Sequence, residues 1–131
     1  MSKTPSENGL LHPELSYAIV GVLFTVSNNL ACGHKEKFYE KAIATELKKA
    51  NLKFQEQLPV KILYKGEPLG IYYFDYLIEN KIILEIKARG NFSKKDIDQL
   101  YSYLKAKNLK LGILAYFGKL GVRFKRIVNV K

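Results

Sequence analysis

Cysteine is all but missing from the chain: Cys32 stands alone, so no intramolecular disulfide can staple the fold, and a reducing cytosol is the expected location. Histidine is nearly as scarce, and His12 and His34 with Cys32 lack the paired spacing of a four-ligand zinc site. Long hydrophobic runs are absent too. The most apolar stretch, Tyr17 to Val26, is ten residues, half of the roughly 20 that a membrane-spanning helix needs. Glu14 precedes it and polar Ser27-Asn28-Asn29 follow, so neither a membrane association nor a secretory leader is expected. Gly118-Lys119-Leu120-Gly121 lacks the pattern of a phosphate-cradling glycine loop. With no internal repeat and no separating linker, residues 1–131 are expected to form one domain, with 1–9 as a flexible N-terminus.

What is present is an ordinary globular composition, 47% hydrophobic and 26% charged, with an unusual distribution of charge. Residues 1–80 hold 9 basic and 9 acidic side chains, whereas residues 81–131 hold 13 basic against 3 acidic. The whole excess of +10 lies in the last two fifths. A one-sided surplus of this kind points to a polyanion partner, nucleic acid before an anionic membrane. Lys94, Lys95, Lys105, Lys107, Arg123, Lys125 and Arg126 are the candidates for phosphate contacts, expected on one face of the fold.

Periodicity orders the elements. Pro13 opens a helix that carries Leu15, Ala18, Ile19, Val22 and Val26 at helical spacing. A second helix runs from about His34 to Ala50, and Glu36, Tyr39, Ile43, Leu47 and Ala50 share its apolar face. Glu36 is out of place there. Either it sits in the first turn, favoured by the helix dipole, or it is paired or bound to a metal. Residues 53–64 alternate as a half-exposed strand, with Phe54, Leu58, Val60, Ile62 and Tyr64 on one side. Strands from about Gly70 to Ile78 and Ile82 to Ala88 complete an antiparallel meander. Ser93 to Asp96 resembles a capping box that starts a helix burying Ile97, Leu100, Tyr101 and Leu104. Strands Leu109 to Phe117 and Val122 to Val130 close the chain.

The informative segment is Tyr72 to Lys87, where Asp75 and Glu85 interrupt apolar strands. If residues 79–81 form the loop, Ile78 pairs with Ile82 and Asp75 faces Glu85 across the ladder. Two carboxylates with Cβ atoms about 5 Å apart repel, so one is protonated or a cation lies between them. Hard oxygen ligands suit Mg²⁺ or Mn²⁺. Lys87 emerges on the same face as Glu85, which assembles the parts for metal-assisted phosphodiester hydrolysis; the alternative is a surface ladder in which Lys87 merely neutralises Glu85. On the following helix, Asp96, Gln99, Tyr103 and Lys107 form a stripe roughly opposite the apolar face. It reads either as a solvated face or as a groove wall beside the carboxylates.

With Gly33-His34-Lys35-Glu36-Lys37-Phe38-Tyr39, Asp75, Glu85-Ile86-Lys87 and Lys125-Arg126-Ile127-Val128 in this order, the sequence resembles the PD-(D/E)XK nuclease superfamily. Within it, the chain is similar to the small family called after its GxxExxY signature. The resemblance implies an α/β restriction-endonuclease-like core, a central mixed sheet of about five strands flanked by helices. It implies a catalytic set of Glu36, Asp75, Glu85 and Lys87. The metal, Mg²⁺ or Mn²⁺, would lie on Asp75, Glu85 and the Ile86 carbonyl, with Glu36 assisting. Gln99 and Tyr103 match the Gln-x-x-x-Tyr helix of the exonuclease-like branch and would contact nucleic acid. One departure is Phe74, where the superfamily pattern has Pro. The expected function is a Mg²⁺-dependent nuclease, with DNA ahead of RNA as its partner. The alternatives are a nucleic-acid-binding module that does not cut, or an accessory subunit; a homodimer or an accessory protein partner stays open.

Overall fold

Pro13 has a helical φ already set and no N–H to satisfy, so it opens helix α1 (Pro13–Asn29) in the computed structural model, which describes residues 11–130. The expected flexible segment 1–9 lies outside the described residues. Helix α1 buries Ser16, Ile19, Val22, Leu23 and Val26, with Leu15 and Ala18 half-buried at its margin. Gly33, at φ 91, makes the turn into α2 (Glu36–Lys49). This helix buries Tyr39, Ile43, Ala44 and Leu47. It is shorter than expected at both ends, and Ala50 is exposed because it caps the helix instead of facing the core.

The strands are β1 (Phe54–Tyr64), β2 (Glu67–Ile78), β3 (Ile82–Lys87), β4 (Leu111–Gly118) and β5 (Gly121–Val128). They form one sheet in sequence order. All neighbours are antiparallel except β3 and β4, which helix α3 (Lys94–Lys107) joins as a parallel crossover. One face of the sheet packs against α1 and α2, through Ile19, Leu23, Ile43, Leu47, Tyr76, Leu84 and Ile113. The other packs against α3, through Leu100, Leu104, Ile83, Leu114 and Tyr116. This is the mixed five-stranded, helix-flanked α/β core that the resemblance implies. Among the described residues, no helix is long and apolar enough to cross a membrane.

The long β1–β2 ribbon does not keep one face. Its ladder runs from Phe54↔Ile78 to Tyr64↔Glu67 but lacks the step where Gln57 would oppose Asp75, and Gln57 adopts φ 54. Before this break Phe54, Tyr76 and Ile78 pack on the α1/α2 side; beyond it Leu58, Val60, Tyr72 and Phe74 pack on the α3 side. The ribbon turns over at Asp75. Strict alternation therefore holds only on each side of the break, which corrects the expectation that Phe54, Leu58, Val60, Ile62 and Tyr64 share a side.

Helix α3 starts at Ser93, whose Oγ accepts from the Lys95 amide at 3.1 Å. Asp96 does not complete a capping box, because its carboxylate turns inward to Tyr116 and Arg89. The loop leading into α3 is pressed against the β4–β5 hairpin. A Cβ on Gly118 would lie 2.8 Å from the Gly90 Cα, a contact only backbone movement can relieve. Gly118→Ala is therefore expected to cost about 1–3 kcal/mol. At Gly21 in α1 no neighbouring group comes within 4 Å of where a Cβ would sit, so Gly21→Ala is expected to gain about 0.5–1 kcal/mol. Denaturant melts of the two variants check the opposite signs.

Candidate active site

The break at Asp75 is where the candidate residues collect. Regular pairing of β2 with β3 stops at Tyr76↔Leu84, one step short of the point where Asp75 and Glu85 would face each other. The side chains replace the missing ladder bonds. The Asp75 amide donates to Glu85 Oε1 at 3.0 Å, and the Ile86 amide donates to Asp75 Oδ2 at 2.8 Å. Both carboxylates are thereby locked between the strands, with Asp75 8% and Glu85 5% exposed. Glu85 Oε2 accepts from the Tyr72 hydroxyl at 2.6 Å and lies 3.5 Å from Lys87 Nζ. Ile86 thus enters through its amide, as the strap that holds Asp75.

Helix α2 brings two more carboxylates. Glu36, in its first turn, is half-buried, and its pKa is raised by burial, opposed by Lys87 and reinforced by Glu40 and Glu85. Glu40, one turn later, lies near Asp75; burial raises its pKa as well, opposed by Asp75. Tyr76 ties this helix to β2 by donating its hydroxyl to the Glu40 carbonyl. Two residues flanking Glu36 have separable tasks. Gly33 makes the turn, and Tyr39 stacks on Phe117 at 4.6 Å and donates to the Ala31 carbonyl, which pins the loop before the helix. Glu40 is absent from the sequence-derived set; its i, i+4 relation to Glu36 is the signal that points to it.

Burial, followed by the charge of Glu85, pushes the Asp75 carboxyl up to about 9, although the Ile86 amide pulls the other way. Four carboxylates share this space with one lysine, an arrangement that favours a cation. The donors are hard oxygens, which fit Mg²⁺ or Mn²⁺. Among the described residues no three His, Cys, Asp or Glu side chains converge closely enough to form a ready cation cage. The residues fit an ion that keeps much of its water shell, as Mg²⁺ does.

Tyr103 and Gln99 are not on a solvated stripe. Tyr103 is buried, stacked on Tyr72 at 5.4 Å and edge-on to Phe74 at 4.4 Å, so it reaches the carboxylates through Tyr72. Gln99 lies beside the Tyr103 hydroxyl. Phe74 stands where a Pro was expected because its ring fills the space beneath α3, 1% exposed.

Asp96, the first member of that stripe, is buried and accepts from Tyr116 Oη at 2.6 Å and from Arg89. Burial alone would raise its pKa, but these two donors outweigh it and hold the carboxyl below the usual range. A depressed folded pKa contributes stability that is present above the ordinary carboxylate range and disappears as pH falls through the folded value. Tyr116→Phe is expected to cost about 1–2 kcal/mol near neutral pH and less in acid, read from melts across pH 3 to 7.

The basic residues divide into three sets. Arg123 and Lys125 lie over the Phe92 ring, each at 5.2 Å, and Arg123 Nη1 donates to the Gly90 carbonyl, which places them beside Arg89, Lys94 and Lys95 at the start of α3. Lys105 and Lys107 occupy the last turn, about 20 Å away along the helix. Arg126 bonds Ser16 Oγ and the Leu11 carbonyl, so it anchors α1. The expectation of one shared basic face is corrected accordingly: alternation along β5 sends Arg126 to the side opposite Arg123 and Lys125.

The solved crystal structure of SSO0001 has a similar fold, with a TM-score of 0.55 and 22% identity, over 72% of this chain and 50% of that one. The chain thus spans about half the length of that protein. No curated protein matches the sequence significantly. The profile of the PD-(D/E)XK nuclease superfamily matches residues 13–127, a span that takes in both strands of the carboxylate pair, the lysine and all three helices. The chain belongs to the PD-(D/E)XK nuclease superfamily.

Proposed function

We propose that the protein is a Mg²⁺- or Mn²⁺-dependent nuclease of the GxxExxY family that hydrolyses phosphodiester bonds of nucleic acid, DNA ahead of RNA. The observation that carries this reading is the splayed end of β2 and β3, where Asp75 and Glu85 are held in each other's amides with Lys87 Nζ 3.5 Å from Glu85. A structural ion pair has no need of a second and third carboxylate beside it. Asp75 and Glu85 would hold the metal, with Glu36 and Glu40 on the α2 side and the Ile86 carbonyl as a further oxygen. Such an ion supplies Lewis-acid polarisation of the phosphate and acidifies water.

The chain's own groups supply the rest. Lys87 presents an ammonium, with its three donors, to the water that attacks phosphorus and to the charge that develops on the phosphoryl oxygens. Tyr72, through its hydrogen bond, fixes the rotamer of Glu85, and the amides of Asp75 and Ile86 fix both carboxylates before substrate arrives. Gln99 and Tyr103 brace Tyr72 from α3. Arg89, Lys94, Lys95, Arg123 and Lys125 meet the phosphates on either side.

A second reading, a nucleic-acid-binding module or accessory subunit that does not cut, draws on one observation: among the described residues, no three acidic side chains form a ready cage. Incubating labelled single- and double-stranded DNA and RNA with Mg²⁺, Mn²⁺ or EDTA separates the two. Metal-dependent cutting that Glu85→Gln abolishes supports the nuclease. Salt-sensitive binding without cutting by the wild type supports the module.

A further inference from the structure

A cleft of about 610 Å³ opens one residue past Lys87, between the α1–α2 loop, the β3–α3 loop and the β4–β5 hairpin. That is within the range of about 300–1,000 Å³ in which small organic ligands bind. Its floor is apolar or bare backbone, formed by Ala88, Gly90, Phe117 and Gly118, and its rim carries Arg89 and Arg123. Among the described residues no carboxylate lines it. The walls are tied together: Gly118 packs directly on Gly90, and Arg123 Nη1 donates to the Gly90 carbonyl at 3.3 Å. Leu120, at the tip of the hairpin, borders the cleft and is 94% exposed, a large apolar side chain with no packing role in the chain itself.

Resting on the nuclease reading, we infer that this cleft receives the base of an unpaired nucleotide next to the scissile phosphate. The substrate is accordingly a single-stranded segment or a frayed end, and not a continuous duplex. Three observations select this occupant. An apolar floor under a cationic rim matches a flat base attached to a phosphate: Arg89 is already paired with Asp96, but an uncharged apolar ligand would leave Arg123 and Lys119 without a carboxylate partner among the described residues. The cleft adjoins Lys87, so a strand whose phosphate lies at the carboxylates places its neighbouring nucleotide there. A paired base keeps its faces in the stack and offers a protein only its edge, so it must be extruded to enter; an unpaired base avoids that cost. Leu120 is placed to cover the exposed face of the inserted base.

Cys32 lines the cleft, is exposed and is the one cysteine of the chain, so it serves as a chemical handle. The test measures binding of a fluorescent single-stranded oligonucleotide and of its duplex to the full chain in EDTA, where nothing is cut. The protein is used unmodified, alkylated at Cys32 with a bulky maleimide, or as Leu120→Ser; maleimide-treated Cys32→Ser is the control. The single strand is expected to bind at least about tenfold tighter than the duplex. Alkylation and Leu120→Ser are each expected to remove about tenfold of single-strand affinity, leaving duplex affinity and the melting temperature unchanged. Single-strand binding that ignores both changes, or equal binding of single strand and duplex, overturns the cleft assignment while the nuclease reading stands on its cleavage assay. Failure to bind either nucleic acid likewise overturns the cleft assignment, and the nuclease reading falls only if cleavage with Mg²⁺ or Mn²⁺ fails as well.

Discussion

Asp75→Asn is expected to make the metal-free protein more stable while abolishing cleavage. The amide retains an oxygen to accept from Ile86, so the strap between β2 and β3 survives, and the group it replaces is the one most penalised by its surroundings. A carboxyl raised to about 9 by burial and by Glu85 holds its proton in the fold and releases it when unfolded. The Asp75 contribution to the stability of the metal-free wild type is thus fully present in acid and is lost as pH rises from the ordinary carboxylate value of about 4 toward 9. Replacing this carboxyl by a group that does not titrate removes the cost of keeping it protonated, about 2–4 kcal/mol near neutral pH. Melts of both proteins between pH 5 and 9, with EDTA or Mg²⁺, check this. Wild type should be stabilised by Mg²⁺ and destabilised by rising pH in EDTA; Asp75→Asn should lose most of both effects, keeping the share of the pH dependence that Glu36 and Glu40 carry, and its cutting should fall at least about 10³-fold. An Asn variant that melts below wild type in EDTA at neutral pH would show that Asp75 is a structural anion after all.

Lys87→Met is expected to reduce the rate of cleavage by about 10²–10³-fold with little change in KM. Methionine keeps the apolar stem that packs along β3 and deletes only the ammonium 3.5 Å from Glu85. If Lys87 orients water and stabilises charge in the transition state, ground-state binding is spared and turnover is lost. If its role is only to neutralise Glu85, the variant instead loses stability as pH rises and retains most of its turnover. Single-turnover rates set beside EDTA melts distinguish the two.

The carboxylate pair was legible in the sequence because it depends on local counting. A three-residue loop sets Ile78 against Ile82, and the same register, continued, sets Asp75 against Glu85. Glu36 was legible for a similar reason, as a charge on an otherwise apolar helical stripe. Glu40 was not, since an exposed-looking residue one turn on acquires meaning only when α2 is laid across the end of β2. Tyr103 looked solvent-facing because helical period marks which residues share a face, not how wide the buried face becomes once a curling β1–β2 ribbon covers a second side of α3. Likewise Asp96 carried a capping pattern, yet Tyr116, twenty residues on, captured it.

The basic excess shows the division most plainly. Composition alone established that the last two fifths of the chain carry the whole surplus. It could not tell Arg123 and Lys125, which lie over Phe92, from Arg126, which holds Ser16 and Leu11. By itself the sequence determined the order of elements, the hairpin register and the candidate pair Asp75 and Glu85, because these follow from short-range periodicity and loop length. Only the tertiary structure decided which face each charge meets, where the ribbon turns over and how Glu40 joins the acidic cluster. Those outcomes depend on packing between elements far apart in the chain, where small rotations of a helix or strand choose a side chain's partner.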